Sequence, residues 1–331
     1  MKTSSKPRDL SFDIARVICT LWIVGIWHLM NYIPNQAPAA LTTGIGEPVT
    51  VTVLSCFMFI SGYFLRKYPF NNRADVLIFY RKRFSRFYVL YFLSAVTLLI
   101  GGFFTAKSWF SSYPQFILTL CGLTTFSPPQ PGTLWFMSML MFFYVVTPFI
   151  QYGKNPKTTI LHAAVLLLLM LLWGQVATID RSVFLYYLMY VLGLHCTPRL
   201  IKRFNGHICV LLISLTIWIC LTELIPSGWG GAQFSVKITY SVVGIIFLLC
   251  LSTQLAKITR LHKIIQILAY LSLALYLFHR QIYQFVMVIY SCFYLQVTIY
   301  TAYLLMFPLA ILSTYVIQFL YDSAVSKFKT V

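Results

Sequence analysis

The sequence predicts an all-α membrane protein, a polytopic bundle of about ten transmembrane helices with both termini cytoplasmic. Three observations carry that prediction. Of 331 residues, 59% are hydrophobic, 17% aromatic and only 10% charged, a balance far from the roughly 25% charge usual in soluble domains. Apolar runs recur at about the 20 residues that a helix needs to cross a hydrocarbon core of about 30 Å. Between them, Lys and Arg gather in alternate connecting segments, the signature of cytoplasmic loops.

The runs cover residues 12–33, 46–65, 84–104, 133–152, 158–177, 182–197, 207–225, 235–253, 266–288 and 296–320. The first is preceded by charges but not followed by a small-residue cleavage site, so it is expected to persist as a helix. The sixth is short. The stretch YPQFILTLCGLTTF, residues 113–126, is too short to span comfortably and predicts a re-entrant or interfacial piece. An inside N-terminus puts most of the 25 basic residues in cytoplasmic segments, among them Arg66, Lys67, Arg73, Arg81, Lys82, Arg83 and Arg86. Lys107, Arg181 and Lys237 fall near the outer side, and Arg16 and Arg280 fall within helices. The sequence has no internal repeat, low-complexity tract or soluble appendage, which predicts one membrane domain over residues 1–331.

A net charge of +18 does not predict a nucleic-acid partner, because topogenesis and anionic membrane lipid account for basic residues in short loops. The segment Arg66–Arg86 exceeds that need, with seven basic residues against Asp75. It reads either as a positive-inside loop or as an anion site for a phosphate-bearing cytoplasmic substrate, since Arg83 and Arg86 lie three apart on one helical face. The eight cysteines are scattered singly at no metal-ligand or redox spacing and predict small buried hydrophobes, with no metal site.

The first apolar run, DIARVICTLWIVGIWHL from Asp13 to Leu29, holds three ionisable groups. Such residues cost a few kcal/mol on insertion scales and face the bundle interior or a wet cavity. Arg16 lies towards the cytoplasmic end, and His28 lies about 18 Å further along at 1.5 Å per residue. One helix thus offers a cation at the inner face and a titratable base near the outer one.

These residues resemble the start of the acyltransferase-3 family of bacterial integral-membrane O-acyltransferases, whose first helix carries an Arg followed by a His. FMFISGYFLRK resembles the family's second-helix Ser-Gly turn and YRKRFSRFYVLYF its basic third-helix start. GTLWFMSMLMFFYVVTPF resembles its Leu-Trp-Phe helix, and LSLALYLFHRQIY its late Ser, Tyr and His helix. Two departures stand out. The family usually places ten residues between the Arg and the His, whereas Arg16 and His28 have eleven. At 100° per residue, the usual spacing returns to within roughly 20° of one face and this one lies roughly 120° away. Either a local bulge restores the alignment, as π-bulges at functional sites do, or one of the two residues has another role. Val89 and Leu90 also stand where the family commonly has a Pro.

The resemblance implies transfer of an acyl group, usually acetyl, from cytoplasmic acyl-CoA to a hydroxyl of a saccharide, free or lipid-linked, at the outer face of a bacterial cytoplasmic membrane. Acetyl-CoA is then a donor substrate and no cofactor is permanently bound. Arg16, Arg83 and Arg86 are expected to attract the polyanionic donor. His28 is the first candidate for the general base that a poorly nucleophilic sugar hydroxyl needs. Ser272, Tyr276, His279 and Tyr283 follow at i, i+4, i+7 and i+11, one continuous helical face. On that face His279 and Tyr276 are catalytic candidates and Ser272 a substrate-binding one, although Ser, Tyr and His also serve as interhelical hydrogen-bonding groups. Trp135 reads either as an interfacial aromatic or as a residue that stacks on a sugar or shapes the acyl tunnel. Ser61 and Gly62 read as a close-packing or turn element. Arg16 has the alternative of a plain anchor paired with Asp13, and His162, His195, His207 and His262 receive no role. The competing class is a proton-coupled secondary transporter or flippase of glycan precursors. No inverted repeat is visible, and carboxylates are nearly absent from mid-span positions.

Overall fold

The structure is a computed structural model that describes residues 9–33, 37–38, 44–68, 70–104, 110, 112–126, 132–153, 155–177, 179–204, 207–223 and 231–329. Among the helical residues, the side chains of 86, 103–104, 204, 231 and 326–329 are outside that description. Every regular element among the described residues is helical, as expected where backbone groups must be satisfied inside hydrocarbon. α1 (Leu10–Trp22) continues as a π-helix over Ile23–His28 and is followed by α2 (Gly46–Leu65), α3 (Arg73–Phe104) and α4 (Tyr113–Leu120). α5 (Leu134–Gln151), α6 (Pro156–Val176), α7 (Ser182–His195), α8 (Pro198–Phe204) and α9 (Ile208–Glu223) come next. The chain ends with α10 (Gly231–Leu255), α11 (His262–Cys292), the single turn α12 (Ile299–Thr301), a π turn over Ala302–Met306 and α13 (Phe307–Lys329).

Among the described residues, eight helices are long and apolar enough to cross a membrane. Two shorter apolar helices, Ser182–His195 and Ile208–Glu223, stand at the sixth and seventh expected spans. The ten runs read from the sequence are therefore all helical. Their ends differ most at the third: α3 is a 32-residue helix from Arg73, so most of the basic segment before residue 84 is a helical overhang and not a loop. The ambiguous stretch 113–126 forms the eight-residue α4 and a 3₁₀ turn at Thr124–Phe126, too short to span.

Local chemistry sets the helix starts. The Asp9 carboxylate caps α1 by accepting from the Ser11 N–H at 3.1 Å, and Asn155 accepts from the Lys157 N–H at 3.0 Å with Pro156 in the first turn of α6. Pro148 interrupts the α5 ladder. Nearby carbonyls find hydroxyls instead: Thr147 Oγ1 donates to Phe143 O at 2.6 Å and Tyr80 Oη to Val145 O at 2.6 Å.

The interior is formed by α1, α2, α7, α10 and α11, with α1 packed on α2, α10 and α11 and α2 packed on α7 and α10. α6 and α13 lie at the periphery and turn Leu168, Leu172, Leu312 and Phe319 outward, which suits a lipid solvent. Polar pairs pin the interior helices to one another and to α3 and α9. Ser55 donates to Ser241 at 3.1 Å, Ser94 to Leu277 O at 2.7 Å, and Trp218 to Thr52 at 2.9 Å, each bond in a membrane contributing about 0.6 kcal/mol. Gly62 of α2 and Gly193 of α7 face the opposite backbone directly: a Cβ at Gly62 would collide with the Tyr190 carbonyl oxygen, and one at Gly193 with that of Phe59. Gly62 is therefore the close-packing residue of the Ser61-Gly62 pair.

Candidate active site

The extra residue between Arg16 and His28 is absorbed by the π-helix Ile23–His28. A π turn closes its hydrogen bonds one residue later than an α turn, so it takes up an insertion while the flanking α segments keep their faces. Arg16 and His28 consequently look towards the same stripe of α11. Arg16 lines a cavity together with Ser272 and Tyr276, and His28 Nδ1 lies 2.7 Å from His279 Nε2. This juxtaposition yields a prediction. Deleting Ile26, a partly exposed residue of the π turn, should return the segment to α geometry and leave His28 against His279. Deleting Ile18 as well, a second loss that the π turn can no longer absorb, should rotate His28 by about 100°. In an acyl-transfer assay at matched membrane abundance, the single deletion is expected to retain measurable activity and the double deletion to have none.

The histidine pair is buried, His28 at 7% exposure and His279 at 0%, with ring planes 7° apart. His279 Nδ1 lies 3.0 Å from the Leu275 carbonyl oxygen, which can only accept, so that nitrogen carries a proton. For two neutral imidazoles, His279 Nε2 then accepts from His28 Nδ1–H. This tautomer assignment, made from the hydrogen-bond chain, leaves the lone pair on His28 Nε2. The ring that retains access is therefore the one whose outer nitrogen is basic. Tyr283 closes the arrangement from the far side, its ring 5.6 Å from that of His279 and its hydroxyl donating to Val24 O at 3.1 Å.

On the side of the basic loops lies a cavity of about 680 Å³. Lys82 and Arg83 of α3, Arg16 of α1 and Tyr68 line it together with Phe57 and Ser61 of α2. Phe136, Met137, Leu140 and Tyr144 line it along α5, over about 12 Å at 1.5 Å per residue. Cations thus stand towards the cytoplasmic ends of α1 and α3, and apolar side chains line the deeper wall. At that wall Tyr276 packs against Phe136 with ring centroids 5.8 Å apart, and its ring lies 6.2 Å from that of His279. A continuous row therefore leads from the cation-lined opening through Tyr276 to the histidine pair.

Arg16, Arg83, Ser272 and Tyr276 are brought together in this cavity, and His28 and His279 lie beyond it. Arg16 also pairs with Asp13, as its anchoring alternative foresaw. Ser272 Oγ is bonded to Ala269 O at 2.8 Å, so its hydroxyl proton is committed to its own helix. Trp135 is outside the cavity lining, in contact with Phe136 and Tyr186, and the side chain of Arg86 lies outside the described residues. The sequence reading did not single out Tyr68, Lys82, Phe57 or Tyr144. Only Lys82 carried a local signal, as the neighbour of Arg83.

These features define a polytopic membrane protein with a cationic cavity on its basic side and a buried base beyond it. A family model described as an acyltransferase domain matches residues 9–321. The chain belongs to this acyltransferase-3 family and is a multi-pass membrane acyltransferase. No curated protein and no solved structure matches it.

Proposed function

We propose that the protein transfers an acetyl group from cytoplasmic acetyl-CoA to a hydroxyl of an exported or cell-surface saccharide, in the cytoplasmic membrane of a bacterium. The observation that carries this reading is the row from the Lys82 and Arg83 opening through Tyr276 to the His28–His279 pair. A polyanionic donor is drawn to the cations, and its uncharged thioester arm suits the apolar wall of Phe136, Met137 and Leu140. The acceptor, free or lipid-linked, approaches from the opposite side. His28 Nε2 takes the hydroxyl proton as the oxygen attacks the thioester carbonyl carbon. The C–S bond breaks, the sulfur leaves as thiolate, and the imidazolium returns the proton to it. Tyr276, which lines the cavity, is assigned the hydroxyl that donates to the carbonyl oxygen as negative charge develops there. His279 holds the base in its tautomer, and Arg16 and Ser272 shape the passage. The transferred group passes directly, with no nucleophilic side chain invoked.

Alkali-released acetate from the surface glycan is expected to rise in cells expressing the wild-type chain over cells carrying empty vector. Membranes from the same cells should consume acetyl-CoA when supplied with that glycan. Unchanged ester content together with no acetyl-CoA consumption would sink the proposal and point to a different acyl donor or acceptor.

A further inference from the structure

A second cavity, of about 730 Å³, opens on the same basic side between the cytoplasmic ends of α2, α5, α6 and α7. The two helices that meet at Gly62 and Gly193 continue into its walls, Arg66, Lys67 and Tyr68 on one side and His195 to Pro198 on the other. Gln151 lines this cavity at 7% exposure, and its Oε1 has no hydrogen-bond partner among the described residues. The same holds for His195 Nε2. A buried acceptor left unmade is costly, so Gln151 Oε1 marks a place for an N–H donor supplied by a ligand. Arg66 is held in place, its guanidinium 3.5 Å over the Tyr63 ring and one N–H given to Tyr63 O at 2.5 Å. A guanidinium has five N–H groups. Lys67 adds a compact cation beside it.

Tyr68 lines both this cavity and the one that leads to Tyr276. We propose that the second cavity binds the 3′-phosphorylated adenosine end of the donor while its thioester arm occupies the first. The inference rests on the acyl-CoA reading above. Arg66, Lys67 and His195 Nε2–H meet phosphate oxygens, Gln151 Oε1 accepts from the exocyclic amine of adenine, and Tyr68 offers its ring at the shared wall. A free phosphate would use the cations but leave Gln151 unmatched. A purine bisphosphate uses both, and an arm that reaches past Tyr68 would run along the wall the two cavities share.

The test is binding by the full-length protein in nanodiscs, with adenosine 3′,5′-bisphosphate, CoA and S-acetyl-pantetheine as probes. Gln151→Leu and Lys67→Ala are expected to weaken the bisphosphate and CoA about tenfold each, a change of about 1.4 kcal/mol, and to leave S-acetyl-pantetheine binding as in wild type. Lys67 is exposed, so its variant carries the test if Gln151→Leu fails to fold. Wild-type binding of CoA that neither variant alters would overturn the inference and leave the acyl-CoA reading standing. So would ATP binding as tightly as the bisphosphate, which would make the cavity a general nucleotide site. A wild-type protein that binds neither CoA nor S-acetyl-pantetheine overturns the acyl-CoA reading itself.

Discussion

His28→Ala is expected to abolish acyl transfer while the protein accumulates in the membrane as the wild type does. Removing a positioned general base costs about 10² to 10⁴ in rate, which in a cellular assay of glycan O-acetylation reads as complete loss. The structural cost is small by comparison. Among the described residues the His28 side chain bonds to His279 alone, and the π turn that carries it is fixed by backbone bonds and by packing of Val24, Leu29 and Met30. His28→Gln discriminates further, because an amide preserves a hydrogen bond to His279 yet is no base at neutral pH. It should be as inactive as the alanine variant. His279→Ala should also lower transfer strongly, because it removes the group that fixes the base's tautomer, a role whose loss costs about 10⁴-fold in a Ser-His-Asp triad. Retention of full transfer by His28→Ala at matched abundance would remove the base from the mechanism. A loss that tracks lost abundance would instead mark His28 as a structural residue.

The histidine pair also shows how far a sequence reaches. Each half was legible by itself: His28 as an ionisable residue in an apolar run, His279 as the third member of the Ser272, Tyr276, His279 and Tyr283 face. The misfit of eleven residues after Arg16 was legible too, because helical phase is a local property. Its resolution as a π turn was one of two outcomes left open, since what fixes the turn is tertiary. Gly25 lies against the Phe307 ring and Tyr283 donates to Val24 O, contacts that close over long separations in the chain. The cavities were hidden for the same reason. Tyr68, Tyr144 and Gln151 stand in ordinary apolar or boundary contexts, and only the crossings of α2, α5 and α7 bring them to a common surface. His195 drew no reading at all, being one of several histidines near cytoplasmic helix ends. The chemistry of one helix face can be read from periodicity, whereas a space between three helices cannot.

The second large effect falls on folding. Gly62→Ala and Gly193→Ala should each deplete the folded protein, with Gly62→Val and Gly193→Val leaving almost none. In lipid there is little hydrophobic force between helices, so association depends on close packing, and small residues let backbones approach. At this crossing the approach is at its limit: a methyl at either glycine collides with a backbone carbonyl oxygen, Tyr190 O or Phe59 O, and not with the yielding end of a side chain. Relief requires the helices to separate, which loosens the packing of Phe59, Tyr63 and Tyr190, all of them buried. Overpacking usually costs about 1–3 kcal/mol, and a clash with backbone belongs at the upper end. Because α2 continues from this crossing into Arg66–Tyr68 and α7 into His195–Cys196, both cavities should deform with it. Partial folders such as Gly62→Ala are therefore expected to show weakened CoA binding per folded molecule as well as a lower melting temperature in detergent. Gly174→Ala is the contrast, since a Cβ there meets only the tip of Phe184 at 3.7 Å, and it should melt within a few degrees of wild type. If Gly62→Ala and Gly193→Ala melt as Gly174→Ala does, the α2–α7 contact is not as close as described, and the shape of both cavities would have to be redrawn.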